Sequence, residues 1–223
     1  MKLPISDRLL ACAGFVPRGS RVADIGCDHG YLSIHLLTGG IAKSCIASDV
    51  KEGPLQSAQR NARKFGVANK IEFYLSDGVE VLPRDFDCMV CAGMGADTMI
   101  HILESAPWLR SEQYTLILQC QSKTPMLRRY LSEKGWVISE EAALRDGRFL
   151  YTIMKVVYRP EEAPLTTGQW YFSPALLRNS SADVPAYYKW VVEGLRISTS
   201  HQDDPEKKQA LAELELLEQE VMK

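Results

Sequence analysis

The chain has 223 residues, of which 46% are hydrophobic and 24% are charged; this composition fits a globular protein with a full core and excludes a disordered or fibrous one. The net charge of -2 conceals an uneven distribution, because residues 1–159 carry 20 basic and 17 acidic side chains and residues 160–223 carry 6 and 11. The small excess of basic residues in the first part of the chain is only weak support for a polyanionic partner.

Strands and helices alternate in the predicted order of elements, as in a parallel sheet covered by helices. The predicted strands cover residues 21–25, 44–48, 71–75, 86–92 and 115–120. The predicted helices cover residues 31–38, residues 53–65 and a segment that includes 98–104. A further helix is predicted after the fifth strand, with Thr124 as N-cap and Pro125 at its first position, and it ends at Gly135.

The pattern changes after Gly135. Residues 136–140 and 149–157 are predicted strands, and the short loop between them holds Asp146-Gly147, which is typical of a hairpin. The predicted fold is therefore α/β: a doubly wound, Rossmann-like, mostly parallel sheet that ends in an antiparallel hairpin, which is the usual architecture of class I methyltransferases. Topology alone does not establish a reaction.

A second, helical region is predicted after a linker with several prolines, so we expect a cofactor domain over residues 1–159 and a helical domain over 160–223. One helix covers about residues 185–198, with Tyr188, Val191 or Val192, and Leu195 on one stripe. The other has Asp204 as N-cap and Pro205 at N1, with Ala210, Leu214, Leu217 and Val221 at heptad-like spacing. The pair is either a structural hairpin or an arm that grips a substrate.

Six cysteines are scattered along the chain: Cys12, Cys27, Cys45, Cys88, Cys91 and Cys120. Cys88 and Cys91 form a C-x-x-C pair on a predicted strand, where residues three apart point to opposite faces, so we expect buried thiols rather than metal ligands. The sequence has no recognisable signal peptide and no run of 18 apolar residues, so we expect a cytoplasmic protein without a membrane or metal partner. The oligomeric state stays open, with a monomer favoured.

The loop after the first strand is the first candidate site. Asp24 ends that strand and is followed by Gly26, Asp28, His29 and Gly30. Glycine lets the backbone turn sharply and approach a nucleotide cofactor. Asp28 replaces the middle glycine of the usual D-x-G-x-G-x-G pattern, and a carboxylate there would repel a pyrophosphate. The loop therefore favours S-adenosylmethionine, which carries an ammonium and a sulfonium, over NAD.

Acidic residues also follow the next two strands. Asp49, before Val50, is placed to accept both ribose hydroxyls of a nucleotide. Asp77 is placed to accept from an adenine amino group, and Gly78 leaves room for the ring. Each aspartate alone is more often a loop cap, but acids at three successive strand ends indicate cofactor binding.

The segment Ala92-Gly93-Met94-Gly95 follows the fourth strand, where the methyl acceptor lies in this fold. It lacks the Asn or Asp, prolines and aromatic residue that many amino-group methyltransferases have here. Its glycines expose backbone groups to a substrate, and Met94 is an adaptable apolar wall. A plain tight turn is the alternative interpretation.

These segments together resemble the bacterial TrmK family, and the resemblance covers essentially the whole chain. It is carried by residues 24–32, Ser48-Asp49-Val50, Asn61-Ala62, Ser76-Asp77-Gly78 and Ala92-Gly93-Met94-Gly95. The resemblance implies methylation of N1 of adenine 22 of tRNA with S-adenosylmethionine, and a coiled-coil-like C-terminal domain. The chain departs from the family at Ala96, where many members have glycine, at Gly30, where many have alanine, and at Cys120, where proline often follows the strand-five glutamine.

The implied chemistry needs little proton transfer, because adenine N1 has a lone pair and no proton at neutral pH. The product ring is cationic, so a carboxylate or carbonyl near it would stabilise the developing charge. Asp28, Gly93 and Met94 are the candidates for this catalytic role, and His29 is possible although a structural histidine is the more common case.

Seven basic residues are candidates for an RNA-binding rim, although any one of them is more often a solvated charge. They are Arg60, Arg63, Lys64, Arg128, Arg129, Arg145 and Arg148. Two other functions stay open: a methyltransferase for another RNA or a small molecule, and an RNA-binding protein with an inactive cofactor fold. A small-molecule enzyme would favour a lid over the acceptor pocket, and no long apolar insertion is present to form one.

Overall fold

One mixed sheet of seven strands organises the part of the chain that the computed structural model describes, residues 3–221. The strands are β1 Ser20–Ile25, β2 Ala42–Asp49, β3 Ile71–Leu75, β4 Cys88–Met94, β5 Thr115–Cys120, β6 Trp136–Asp146 and β7 Phe149–Tyr158. Their order is β3-β2-β1-β4-β5-β7-β6. Strands β1 to β5 are parallel, whereas β7 is antiparallel to both β5 and β6. The predicted doubly wound fold with a C-terminal antiparallel hairpin is confirmed.

Helices cover both faces of this sheet, which explains why the central strands are apolar runs rather than alternating ones. The helices are α1 Asp7–Phe15, α2 Tyr31–Thr38, α3 Glu52–Lys64, α4 Ala96–Ser105, α5 Thr124–Glu133, α6 Thr167–Tyr171, α7 Pro174–Leu177, α8 Val184–His201 and α9 Pro205–Val221. Helices α1 to α3 share one core with the sheet, and α4 and α5 share another. Strands β1 and β4 are neighbours in the sheet, but the helices that follow them, α2 and α4, cover opposite faces. Ligands bind at this switch point in such sheets.

The cysteines follow this two-faced arrangement. All six are buried and free; Cys88 packs in the core of α1 to α3, whereas Cys91 packs in the core of α4 and α5. Burial raises the pKa of the Cys91 thiol to about 12, so this thiol is a poor nucleophile at neutral pH. The interpretation of this pair as structural residues agrees with the structure.

A third core joins the helical C-terminal region to the hairpin. Tyr188, Leu195 and both Val191 and Val192 are buried on α8, together with Ala210, Leu214 and Val221 of α9. Ala143 of β6 belongs to the same cluster. The Asp204 side chain accepts a hydrogen bond from Lys207 N at 3.1 Å, as expected for an N-cap. The domain boundary at residues 159 and 160 stays a prediction, because this core extends across it.

Two local predictions were wrong, and one helix lies where no element was predicted. The residues before 21 carried no prediction, and the structure has α1 there, whose N-cap Ser6 accepts from Leu9 N at 3.3 Å. Helix α5 has Lys123 rather than Thr124 as its N-cap. The predicted linker contains α6 and the start of α7, whose first residue is Pro174; both helices are too short for a clear helical period.

Candidate active site

The loop after β1 adopts a conformation that only certain residues allow. Gly26 has φ 69° and Asp28 has φ 49°, both in the left-handed region that favours glycine and, next, Asn and Asp. A Cβ added to Gly26 would lie 2.3 Å from Met94 Cε. Asp28 can therefore replace a glycine of the usual pattern, whereas Gly26 cannot be replaced without moving Met94.

Gly30 has a structural function that explains one departure from the TrmK pattern. It is the N-cap of α2 with φ 70°, and a Cβ added to it would lie 2.9 Å from Ala58 Cβ of α3. Glycine thus permits the close packing of these two helices here, and an alanine would require them to separate.

Asp49 links the glycine loop to the start of α3. Its Oδ2 accepts from Asp28 N at 3.2 Å, and its Oδ1 accepts from Lys51 N at 3.0 Å. Each carboxylate oxygen has a further lone pair. Asp49 can therefore accept two more hydrogen bonds from a ligand, in an orientation fixed by the backbone.

The β2 cleft, as we name the space beside Asp49, has a volume of about 370 Å³. It is lined by Ile25, Gly26, Asp28, Asp49, Val50, Lys51, Pro54, Ser76, Asp77, Gly78, Met94, Thr98 and Ile102. Val50 is 58% exposed and provides, with Ile102, an apolar surface next to the Asp49 and Asp77 carboxylates. This combination suits a nucleoside, which has a flat apolar ring and hydroxyl donors.

The β4 cleft lies next to it and has a volume of about 300 Å³. It is lined by Arg8, Leu9, Asp24, Gly26, Cys27, Asp28, Leu32, Ala92, Gly93, Met94 and Gln121. The two clefts share Gly26, Asp28 and Met94. The loop after β1 and the side chain of Met94 therefore belong to both spaces.

Asp24 is a buried carboxylate in the β4 cleft. Ser33 Oγ donates to its Oδ2 at 2.7 Å. Burial raises the pKa of Asp24 to about 6, although the hydrogen bonds from Ser33 oppose that shift. A buried carboxylate with this pKa favours a cationic ligand, because an adjacent positive charge would stabilise its ionised form.

Arg8 brings a cation to the same cleft from α1. Its Nη1 donates to Gln119 Oε1 at 2.6 Å, and that oxygen also accepts from Gly93 N at 3.1 Å. Gln119 is completely buried, so it holds both the guanidinium and the turn after β4 in place. Asp146 lies 3.9 Å from Arg8 Nε.

The residues of the two clefts fit S-adenosylmethionine. The β2 cleft suits its adenosine, and the opposite charges of Asp24 and Arg8 suit the ammonium and carboxylate of its amino-acid end. Asp28 puts a carboxylate where a pyrophosphate would need amide donors. The charged, polar and apolar groups that line the two clefts are therefore complementary to a nucleoside joined to an amino acid.

Most of the predicted cofactor residues come together in these clefts. Asp24, Gly26, Asp28, Asp49, Val50, Asp77, Gly78, Ala92 and Gly93 line one cleft or both, whereas His29 and Gly30 line neither. The His29 ring is half exposed beside Tyr31, 3.7 Å from the Asp28 carboxylate, and its carbonyl accepts from Asn61 Nδ2 at 3.0 Å. The predicted roles of His29 stay predictions, and Gly30 packs closely against α3.

Arg128 contradicts the predicted RNA rim, because its side chain is completely buried. It donates to Glu141 Oε1 from Nη2 at 2.7 Å and to the carbonyls of Trp170 and Tyr171 at 2.9 Å. A guanidinium with these partners is an internal support between the sheet and α6. It cannot reach a phosphate.

The other predicted rim residues are exposed but differ in their ion pairs. Arg129 pairs with Glu133 and Glu206, and Arg145 lies 3.9 Å from Asp183. Arg148 lies beside Phe149 at the hairpin tip. None of the ion pairs within residues 3–221 involves Arg60, Arg63 or Lys64 on α3, the helix that carries Pro54 of the β2 cleft.

Sequence reasoning missed Arg8, Ser33 and Gln119. Gln119 is a polar residue in the apolar run of β5, which is a usable signal because a buried amide needs partners. Arg8 meets Gln119 across 111 positions of sequence, and nothing local indicates that contact. Ser33 is indistinguishable in sequence from any serine of a helix.

Within the described residues, no helix is long and apolar enough to cross a membrane. Over the same range, no group of three or more His, Cys, Asp or Glu side chains is arranged to hold a metal ion.

The chain is similar to known methyltransferases. A family described as methyltransferase domain matches residues 5–154. The tRNA (adenine(22)-N(1))-methyltransferase of Bacillus subtilis is 31% identical over 154 residues, which are 69% of this chain and 65%, just under two thirds, of that enzyme.

Two solved structures extend the likeness to the helical tail. A Streptococcus pneumoniae protein in complex with S-adenosyl-L-methionine is 30% identical with a TM-score of 0.81, and the match covers 98% of this chain and 100% of that one. The m1A22 tRNA methyltransferase TrmK of Bacillus subtilis is 25% identical with a TM-score of 0.79, over 99% of this chain and 98% of that one.

Proposed function

This chain belongs to the methyltransferase-domain family and, within it, to the TrmK group of tRNA (adenine(22)-N(1))-methyltransferases, and from this premise we propose that it methylates N1 of adenine 22 in tRNA. Its cofactor is S-adenosylmethionine. The observation that carries the proposal is the pair of clefts that meet at Gly26, Asp28 and Met94, since S-adenosylmethionine needs a nucleoside space joined to a space for its charged amino-acid end.

We assign the cofactor contacts by chemistry. Asp49 holds the ribose hydroxyls, and Asp77 and Gly78 hold the adenine next to Val50. Asp24 pairs with the ammonium and Arg8 with the carboxylate of the amino-acid end. Arg8 is held by Gln119, 111 positions away in sequence, so the fold has to form before this end is recognised.

The bound cofactor supplies an electrophilic methyl group on a positively charged sulfur. The lone pair of adenine N1 forms the new bond to that carbon while the bond from carbon to sulfur breaks, and the positive charge passes to the adenine ring. No proton has to leave, so the protein has to align the ring and stabilise its charge.

Asp28 and the turn at Gly93 and Met94 are the groups we assign to this task. The Asp28 carboxylate is 70% exposed at the border of both clefts, where it would face the ring that becomes cationic. Gly93 has φ 84° in a bulge of β4, which opens the acceptor side, and Met94 is an apolar wall. The absence of an Asn-Pro-Pro-Tyr-like segment agrees with a reaction that has no exocyclic amine to hold.

Transfer RNA itself needs a wider surface. We assign phosphate contacts to Arg60, Arg63 and Lys64 of α3 and to Arg145 and Arg148 of the hairpin, with a smaller part for Arg129. We further propose that residues 1–159 hold the cofactor and residues 160–223 contribute to the grip on tRNA. The reaction then belongs in the cytoplasm, where tRNA is available.

The deciding experiment is incubation of the purified chain with S-adenosylmethionine and an unmodified tRNA transcript, followed by mapping of the methylated nucleoside. We expect 1-methyladenosine at position 22 and none in a transcript with guanosine there. Methylation of another nucleoside, or of a small molecule only, would overturn the proposed substrate. Absence of cofactor binding in calorimetry would support an inactive RNA-binding protein instead.

A further inference from the structure

A deep apolar pocket lies outside both clefts, between the end of β5, strand β7 and helix α8. It has a volume of about 310 Å³. Four aromatic side chains line it, together with the loop at residues 120–124. They are Tyr151, Tyr171, Tyr187 and Trp190. We call this space the aromatic pocket.

The aromatic wall of the pocket is fixed from behind. Tyr187 is buried, and its hydroxyl accepts from Arg128 Nη2 at 3.3 Å. The Tyr187 ring packs beside Phe172 on one side and beside Trp190, 5.7 Å away between ring centres, on the other. Trp190 is 61% exposed, so the wall combines a rigid base with an indole open to solvent.

The aromatic pocket adjoins the turn at Gly93 and Met94, which we assign to the acceptor, through a shared loop. Gln121 lines both the β4 cleft and the aromatic pocket. Gln121 N donates to Met94 O at 2.8 Å, and Ala96 N donates to Ser122 O at 3.1 Å. The turn that faces the target adenine is therefore bonded directly to the loop that forms one side of the pocket.

The lining indicates a planar ligand that carries negative charge beside it. Aromatic faces bind nucleobases by stacking, with little dependence on the identity of the base. Lys123 and Lys207 also belong to the lining, so two ammonium groups are available to the phosphates of a bound nucleotide. Their present partners are the exposed carboxylate of Asp97, which water and salt screen, and the partly buried carboxylate of Asp204.

We propose that the aromatic pocket binds a nucleobase of the substrate tRNA next to the methylated adenine. The inference rests on the proposed function. A target base that leaves its stack also exposes the face of its neighbour, at a cost in binding free energy. Stacking of that neighbour against Trp190 and Tyr151 would offset the cost and hold the RNA chain open beside the β4 cleft.

Gly194 offers a test that does not depend on removing a buried side chain. It lines the pocket from α8, and a Cβ built on it meets no atom within 4 Å. Leucine in place of glycine should raise helix propensity, so Gly194→Leu fills the pocket without a loss of folding stability. Gly14→Leu on α1 is the matched control, because Gly14 is also in a helix and also faces open space.

The measurement is the Kd of each variant for an unmodified tRNA transcript in the presence of S-adenosylhomocysteine. We expect Gly194→Leu to weaken binding about tenfold, the order that base stacking on an aromatic group provides, with Gly14→Leu and the cofactor Kd unchanged. Wild-type affinity in Gly194→Leu would overturn the proposal.

Trp190 provides a second, independent test. Trp190→Ala should weaken tRNA binding about fivefold or more, whereas Trp190→Phe should retain most of the affinity because it keeps an aromatic face. Leu216→Ala is the control, since Leu216 is 85% exposed on α9 and lies outside the pocket. Equal loss in Trp190→Ala and Leu216→Ala would overturn a stacking role.

These results separate the pocket from the proposed function. If the wild type forms no 1-methyladenosine in tRNA, the function falls and the pocket inference falls with it. If the wild type does so at position 22 while Gly194→Leu and Trp190→Ala bind tRNA as it does, the pocket inference alone is wrong. Ultraviolet cross-linking of the transcript to peptides containing Trp190 or Tyr151 would support it directly.

Discussion

Two buried carboxylates of this protein have opposite surroundings. Glu141 accepts from Arg128 Nη2 at 2.7 Å and from Ser173 Oγ at 2.5 Å, so the chain supplies its own cation. Asp24 accepts from Ser33 Oγ, a neutral donor, and opens onto the β4 cleft. A buried carboxylate that is paired with a cation of the same chain supports the fold. A buried carboxylate without a bonded cation instead indicates the position of a cationic ligand.

Removal of the internal cation should have the largest effect. Arg128→Ala leaves Glu141 buried without its partner, and we expect the free energy of unfolding to fall by about 3 to 5 kcal/mol. Urea unfolding measures this, with Arg129→Ala as the neighbouring control, because its ion pairs are exposed to solvent and contribute little to stability. Similar stability of the two variants would contradict the assigned role of Arg128.

Loss of the ribose acceptor should come next. Asp49→Ala removes a carboxylate that we assign to two hydroxyl donors, so S-adenosylmethionine binding should weaken by about 1.5 to 3 kcal/mol, as for hydrogen bonds to a charged group. Isothermal titration calorimetry measures this, and urea unfolding of the same variant checks that the loop remains folded. An unchanged cofactor Kd would remove Asp49 from the site.

Asp24 gives a prediction of pH dependence. Because burial raises its folded-state pKa to about 6 from 3.8, this carboxyl stabilises the ligand-free fold in its protonated form, and that contribution is lost as pH rises from about 4 through 6. Cofactor binding has the opposite sign, since the ammonium needs the ionised form. The affinity for S-adenosylmethionine should fall up to about tenfold between pH 7 and pH 5.

Calorimetry at several pH values tests that expectation. Asp24→Asn should bind the cofactor more weakly at pH 7 and lose the dependence between pH 5 and 7. If Asp24→Asn keeps the wild-type slope, another group is responsible and Asp24 does not contact the ammonium.

The strands and the cofactor aspartates could be predicted from the sequence, whereas the burial of individual charged side chains could not. Strand β3 at residues 71–75 and strand β5 at 115–120 agree with their predicted bounds, because an apolar run between turn residues has few alternatives. The cofactor aspartates Asp24, Asp49 and Asp77 lie at or just after the ends of β1, β2 and β3, so their positions come with the strands. Arg128 lies on the buried face of α5 with Leu127 and Leu131, but the partners that satisfy its guanidinium, Glu141, Trp170 and Tyr171, are distant in sequence and no local pattern indicates them.

Contacts distant in sequence also change how the helical tail is to be tested. A cut after residue 159 would remove the carbonyls of Trp170 and Tyr171 and the hydroxyl of Ser173 from the network of Arg128 and Glu141. The truncated chain would then lose stability together with any tRNA contact. Point variants of the exposed surface are therefore the better test of RNA binding.

The smallest predicted effect concerns exposed cations with and without partners. Arg63 and Lys64 are exposed in the last turn of α3, whereas Arg129 already pairs with Glu133 and Glu206. If tRNA phosphates bind the free cations, log Kd for tRNA should depend steeply on log salt in the wild type, with a slope on the order of several units. Arg63→Gln with Lys64→Gln should reduce that slope by about 1 per residue, and Arg129→Gln should change it less, because this guanidinium would have to leave its carboxylates first.

The cofactor Kd should not change with salt in any of these variants, which separates a phosphate effect from a general loss of folding. A flat slope in the wild type would instead mean that stacking and shape hold the tRNA, and would transfer the main binding role from α3 to the aromatic pocket.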